Sequence, residues 1–296
     1  MERAARYYDE NTRWFHLWER RNGPVAVHRR VHGPGVRTQQ AALDYVHRTV
    51  ARVARAMGAA AVVDLGCGTG ALLCYLRNAR IRGRLMGVTA STAQALEACR
   101  WCGADQRAIR RRHREGSGSP MAQMVVRCGD YLDPDVIRTA PGPRLYVAIE
   151  SMVHASSARD FLSAVASVTR SGDELLICDD FLQEEARERQ GRGARPTGLI
   201  RLFRNGWRAS ALTSITALAH EAALAGWEVV RTEEGTEWTS IPGRYATKLF
   251  RLVSWMTAPV AYRPFFGNLS GGAALRAGYG EGVFRYLVTR LRRVGP

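Results

Sequence analysis

Ala60-Ala61-Val62-Val63-Asp64-Leu65-Gly66-Cys67-Gly68-Thr69-Gly70 is the stretch on which the fold turns. Its first half is a short, nearly unbroken apolar run, the pattern of a parallel strand buried on both faces. Its second half places three glycines at alternate positions, where the backbone can turn tightly and approach a ligand closely. Helical spacing resumes at once in Ala71-Leu72-Leu73-Cys74-Tyr75-Leu76-Arg77-Asn78, so the free N–H groups of a helix start lie beside the loop. A dinucleotide site would show GxGxxG with an acidic ribose ligand about 20 positions later. This chain has GxGxG, and the end of its second strand, near Thr89, carries no acidic residue.

Outward from this loop, further strands are expected at RLMGVTA, AQMVVRCGD, RLYVAIES and DELLICDDF, with helices between them over Ser91 to Ile109 and Ala158 to Arg170. Strands alternating with helices predict a doubly wound α/β sheet, mostly parallel. Residues 1–57 alternate aromatic, apolar and charged positions at helical spacing and read as an N-terminal helical cap, with Thr38 placed to start a helix near Gln39. The core occupies 58–182. A charged, glycine-broken segment and the helical region after it, 183–225, read as an insertion or lid. Residues 226–296 return to the sheet through WEVVRTEE and FRYLVTRLRR, an antiparallel edge pair, with a substrate-side loop between them.

The 296 residues suit a globular enzyme at 46% hydrophobic content. No apolar run approaches the roughly 20 residues that span a bilayer, and MERAARYYDENTRWF lacks the apolar centre of a signal peptide; a cytoplasmic protein is the expectation. Six cysteines without metal-ligand spacing read as reduced core thiols, and no metal site is expected. The net charge of +16 favours an acidic partner, be it nucleic acid, an anionic membrane surface or a substrate bearing phosphate or carboxylate, and charge does not choose among these. The basic run Arg107–Arg114 reads as a solvated helix end with no RNA-binding motif beside it, so nucleic acid is not expected; the expected partner is a small-molecule substrate, with a diphosphate or carboxylate as the candidate anionic group. Oligomeric state is open to a homo-oligomer.

Four further segments make the chain resemble class I S-adenosylmethionine (SAM)-dependent methyltransferases, in the branch of sterol and terpenoid C-methyltransferases and cyclopropane fatty acid synthases. They are Tyr7-Tyr8-Asp9 with Thr12 and Phe15; Gly87-Val88-Thr89-Ala90-Ser91-Thr92-Ala93-Gln94; Cys128-Gly129-Asp130-Tyr131; and Ile149-Glu150-Ser151-Met152-Val153-His154-Ala155. The resemblance implies a Rossmann-like methyltransferase fold with a mostly parallel seven-stranded sheet, and SAM as cofactor. Its cofactor residues would be Asp64, Gly66, Cys67, Gly68, Thr89, Ser91, Gln94, Asp130, Tyr131 and Glu150. Asp64 would orient the loop or meet the cofactor's ammonium, Thr89, Ser91 and Gln94 would surround the ribose, and Asp130 would accept the adenine N–H. Ser91 is equally placed to cap the helix starting near Thr92.

Glu150 is the residue chosen for chemistry, because a carboxylate ending an apolar strand is costly unless paired or used. Methylating an alkene leaves a carbocation that needs a nearby negative charge and then a base. Glu150 suits either task; His154 is a second candidate base or an orienting partner, and Tyr8 a third catalytic candidate. Aromatic faces attract cations, so Phe15, Trp18, Phe181, Phe203 and Trp207 are the candidate substrate residues. Arg29, Arg30, Arg201 and Arg204 are candidates to clamp a diphosphate. The function these readings favour is carbon methylation of a small isoprenoid or related alkene in bacterial secondary metabolism. O- or N-methylation of a finished natural product is the alternative, with Glu150 or His154 as the deprotonating group.

Overall fold

The computed structural model describes Ala26 and residues 28–104, 124–139, 142–184 and 198–294. Helices α1 (Gln39–Leu43) and α2 (Tyr45–Ala56) come first. The Thr38 hydroxyl accepts the Ala41 N–H at 3.1 Å, which satisfies one of the donors that a helix start leaves open. There follow β1 (Ala61–Leu65), α3 (Ala71–Asn78), β2 (Arg84–Thr89), α4 (Thr92–Cys102), β3 (Met124–Cys128), α5 (Pro134–Ile137), β4 (Arg144–Ile149), α6 (Ala158–Ala166) and β5 (Glu174–Leu182). Helices α7 (Gly198–Trp207) and α8 (Ile215–Leu224) lead to β6 (Trp227–Glu234), and α9 (Arg244–Thr257) and α10 (Pro264–Gly280) lead to β7 (Phe284–Arg293).

One seven-stranded sheet results, in the order β3-β2-β1-β4-β5-β7-β6. β1 pairs in parallel with β2 and β4, β2 with β3, and β4 with β5. β7 runs antiparallel to both of its neighbours, β5 and β6. The doubly wound, mostly parallel sheet is therefore present, and the edge strand is β6: β7 inserts between it and β5. The residue patterns agree with this placement. β6 alternates Trp227 inward with exposed Glu228 and Arg231, whereas most of β7 is buried.

Successive β1 side chains face opposite layers, as the pleat requires. Val62 packs with Val46 and Val50 of α2, Leu73 and Leu76 of α3 and Ala98 of α4. Val63 packs with Phe161, Leu162 and Val165 of α6 and with Trp227. All six cysteines are free, and the Cys74 and Cys102 thiols of α3 and α4 lie 3.1 Å apart.

One expectation changes. Where a substrate-side loop is expected between β6 and β7, a helical hairpin, α9 and α10, stands instead. Its periodicity is hard to read because α10 is built of small residues and is buried over Ala273–Leu275 and Ala277–Tyr279, while most of the large apolar residues of α9 point away from the core. The insertion at 183–225 does contain two helices, and α7 is tied to α10 by the Trp207 Nε1–H, which donates to the Asn268 carbonyl at 3.0 Å. The strand order reverses between β1 and β4, and such a switch point opens a crevice at the strands' carboxyl ends. Gly66 and Glu150 begin the turns that leave those two ends.

Candidate active site at the ends of β1 and β4

The loop after β1 is shaped by close approach. Gly66 has φ +99°, and a Cβ there would come within 2.5 Å of the Ser151 Cβ; a side chain would force apart the ends of β1 and β4. The Gly66 and Cys67 N–H groups both donate to the Val88 carbonyl, at 2.8 and 2.9 Å, which ties the loop to β2. Gly68 differs: at φ +53°, its missing Cβ would meet nothing within 4 Å. Open space lies beside that backbone. Cys67 is buried beneath the loop, and burial pushes its thiol well above the ordinary range.

Asp64, on β1, is 3% exposed, and burial alone pushes its carboxyl up to about 7. A cation brought beside it would reverse that rise. At the end of β2, Thr89, Ser91 and Gln94 come together as expected, but they bind one another. The Thr89 hydroxyl donates to Gln94 Oε1 at 2.9 Å, and the Ser91 hydroxyl accepts the Gln94 N–H at 3.2 Å, capping α4. Asp130, after β3, is half-buried, with one oxygen accepting the Leu132 N–H at 2.8 Å. Tyr131 is buried against Phe161, and its hydroxyl donates to the Ser151 carbonyl at 2.8 Å; this side chain braces the β4 turn.

Glu150 takes φ +48°, a left-handed conformation rare outside glycine and of the kind that clusters at functional sites. Its Oε1 accepts two hydrogen bonds from Arg29, from Nε at 2.9 Å and from the backbone N–H at 3.0 Å. The same guanidinium donates through Nη2 to Asp180 Oδ2 at 2.6 Å and through Nη1 to the Tyr279 hydroxyl at 2.6 Å. Tyr279 in turn donates to Asp180 Oδ1. The guanidinium carbon also lies over the rings of Tyr286, 4.6 Å from its centroid, and Tyr279, at 5.3 Å. Two carboxylates and two aromatic faces thus enclose one cation. Burial raises the Asp180 carboxyl while Arg29 opposes the rise, and burial lifts both tyrosine hydroxyls.

Neighbouring groups fix the turn that presents Glu150. Asp179, fully buried, accepts the Val153 N–H at 3.2 Å and the Asp180 N–H at 2.8 Å. His154 ends the short helical turn Met152–His154, and burial lowers its pKa to about 4, opposed by hydrogen bonds to the Arg208 and Trp207 backbone and by the charge of Glu150. A histidine pair secures the segment carrying Arg29: His28 Nε2 lies 2.9 Å from His47 Nε2 on α2.

Several expected residues stand elsewhere. Phe181 and Phe203 have no exposed surface and belong to the core, Phe203 packing on Trp207 and Phe284; neither has a face left for a substrate in this conformation. Trp207 is partly buried, its indole N–H committed to Asn268. Arg29 is not free to clamp a phosphate, because two carboxylates already answer its charge. Arg204 donates to the Leu212 carbonyl, and Arg30 and Arg201 are exposed. Tyr8, Phe15 and Trp18, with Tyr7 and Trp14, lie outside the described residues. Asp180 was legible by the argument that selected Glu150, since Asp179-Asp180 interrupts an apolar strand. Tyr279 and Tyr286 gave no such signal, because buried tyrosines are ordinary core residues.

Comparison with solved structures places the chain in the Rossmann-like methyltransferase fold. Similar crystal structures include the [4+2]-cyclase SpnF (TM-score 0.63, 19% identity, covering 99% of this chain and 95% of that one). A geranyl diphosphate C-methyltransferase from Streptomyces coelicolor A3(2), in complex with Mg2+, geranyl diphosphate and S-adenosyl-L-homocysteine, matches at TM-score 0.61 and 17% identity, covering 99% and 97%. The mycolic acid cyclopropane synthase CmaA1, complexed with SAH and CTAB, matches at TM-score 0.61 and 15% identity, covering 98% and 95%. No protein-family model and no curated protein sequence matches the chain. One of these three is named for a cyclisation, so the fold alone does not specify a reaction. Among the described residues no helix is long and apolar enough to cross a membrane.

Proposed function

We propose that the chain is a SAM-dependent C-methyltransferase acting on a small isoprenoid or related alkene. The observation that carries this reading is the charge arrangement around Glu150. Next to the glycine loop stand two carboxylates, one guanidinium and two tyrosine rings, which together favour positive charge. The residues present fit the cofactor: Gly68 borders open space, and Asp64 is a buried carboxyl that a cationic ammonium would stabilise. When bound, SAM supplies an electrophilic methyl group on a sulfonium.

The chain's own groups then do the following. Glu150, held in place by Arg29, stabilises the positive charge that develops on the substrate carbon, a fixed charge in a dry site being worth far more than one in water. The faces of Tyr279 and Tyr286 hold the Arg29 guanidinium in place beside that carboxylate. Loss of a proton completes the reaction, and a carbocation is so acidic that a weak base suffices. His154, neutral at pH 7 with its pKa near 4, meets that requirement. The same weakness argues against heteroatom methylation, for which deprotonating a hydroxyl calls for a base poised nearer neutrality. The aromatic, cation-favouring enclosure and the geranyl diphosphate bound by the Streptomyces neighbour support an isoprenoid substrate.

The test is incubation with methyl-labelled cofactor and a panel of prenyl diphosphates and alkenes, with the label located by NMR. Label on carbon is expected, with transfer by Glu150→Gln slowed by about 10²-fold or more while cofactor binding by calorimetry is kept. A label found on oxygen or nitrogen overturns the reading.

A further inference from the structure

Helix α9 is inside out. Its buried positions are small and polar, Thr247 and Ser254, and Ser254 is engaged by α10 through the Ser270 hydroxyl, which donates to the Ser254 carbonyl at 3.1 Å. Phe250 packs against the core, but most of the helix's large apolar residues face outward: Tyr245 is 88% exposed, Leu249 59%, Leu252 49% and Met256 64%. Steps of four, three and four residues set these side chains in one stripe along the helix. A second exposed row, Arg244, Lys248, Arg251 and Trp255, runs beside it. The surface continues over the tip of the hairpin through Tyr262, 71% exposed, Arg263 and Phe265, 43% exposed. From residue 238 to residue 280 the chain holds Arg244, Lys248, Arg251, Arg263 and Arg276 and no aspartate or glutamate; Glu281, directly after α10, pairs with Arg251 at 3.1 Å.

We infer that this face of the α9–α10 hairpin docks on the surface of an anionic lipid bilayer. An apolar stripe bordered by cations, with tryptophan and tyrosine among its exposed residues, matches a layer whose headgroups are negative and whose interior is hydrocarbon. Cations near such a surface each add to binding, and anionic lipid is what they select. Pairing of two copies through α9 is the competing occupant, and charge disfavours it: a two-fold axis would bring Arg244, Lys248 and Arg263 of both copies together, with no carboxylate inside either hairpin and Glu281 beside it already paired with Arg251. Because these side chains face outward, the fold does not need them for its core. The inference does not depend on which reaction the site performs.

The test uses the full chain with vesicles of phosphatidylcholine and phosphatidylglycerol, and with vesicles of phosphatidylcholine alone, in a sedimentation assay. Binding to the anionic vesicles is expected, weakened by salt and weaker by about tenfold on neutral vesicles. Leu249→Glu/Leu252→Glu is expected to lose binding to both, and Arg244→Gln/Lys248→Gln to lose the preference for anionic lipid, with circular dichroism and Tm unchanged in each. Equal vesicle binding by the wild type and Leu249→Glu/Leu252→Glu overturns the proposal. So does a vesicle-free dimer, seen by light scattering, that this double variant dissociates.

Discussion

Arg29 and Glu150, 121 residues apart in sequence, meet through two hydrogen bonds to a single carboxylate oxygen, one from the guanidinium and one from the backbone. Their side chains keep 16% and 13% exposure, so the pair is mostly withdrawn from water. The contact joins the segment entering the domain to the residue placed at the centre of its chemistry, and it fixes the position of that carboxylate.

Breaking the pair from one side leaves a buried charge unanswered. Arg29→Met should therefore lower stability by about 3–5 kcal/mol in denaturant unfolding. Arg29→Met/Glu150→Gln should lose clearly less than the sum of the single changes, because the second substitution removes one of the stranded charges. Additive losses would show that the two side chains act independently.

The two tyrosines beside Arg29 should respond in opposite ways. Tyr279→Phe removes the acceptor of Arg29 Nη1 and a donor to Asp180, a loss of about 1–3 kcal/mol. The Tyr286 hydroxyl is buried without a hydrogen-bond partner among the described residues, so Tyr286→Phe should leave Tm unchanged or raise it.

Gly66 and Gly68 separate folding from binding. Gly66→Ala places a methyl group against Ser151 at a backbone angle alanine resists, and it should reduce both Tm and cofactor affinity. Gly68→Ala has room for its methyl group but in the space assigned to the cofactor. It should bear only about 1–2 kcal/mol of backbone strain, with affinity by calorimetry falling by more than that strain explains.

Asp64 should make stability and binding depend on pH in opposite directions. Its carboxyl rises from 3.8 to about 7 on folding, so the folded state holds the proton more tightly than the unfolded chain. The stability this gives is present below pH 4 and is lost as pH rises toward 7, roughly 4 kcal/mol at most. Asp64→Asn should flatten stability across that window. Cofactor binding by the wild type should instead tighten as pH rises through 7 and release a proton, seen as a buffer-dependent binding enthalpy; no such dependence is expected of Asp64→Asn.

His154 has the opposite sign to Asp64. Its pKa falls from 6.5 to about 4 on folding, so the stability it contributes is complete above pH 6.5 and declines as pH drops toward 4. Unfolding of His154→Gln between pH 4 and 7 should lack this slope.

The sequence by itself determined the strand–loop–helix unit at Asp64–Gly70, the strands of the sheet and the singular position of Glu150. Each of these is a local matter: glycine spacing, apolar runs of strand length, and a carboxylate where an apolar residue would be cheaper. The Ser91 cap and the Thr38 helix start were legible for the same reason, since a cap and its partner lie three residues apart. Tertiary structure alone decided that β7 lies inside β6, because pairing between distant strands leaves no local mark. It also decided that Phe181 and Phe203 serve the core and that α9 turns its apolar side outward, since composition gives the residues of a face but not what covers it. Above all it decided what surrounds Glu150. Arg29, Asp180, Tyr279 and Tyr286 come from four separate elements, and a buried carboxylate takes its meaning from the charges packed against it.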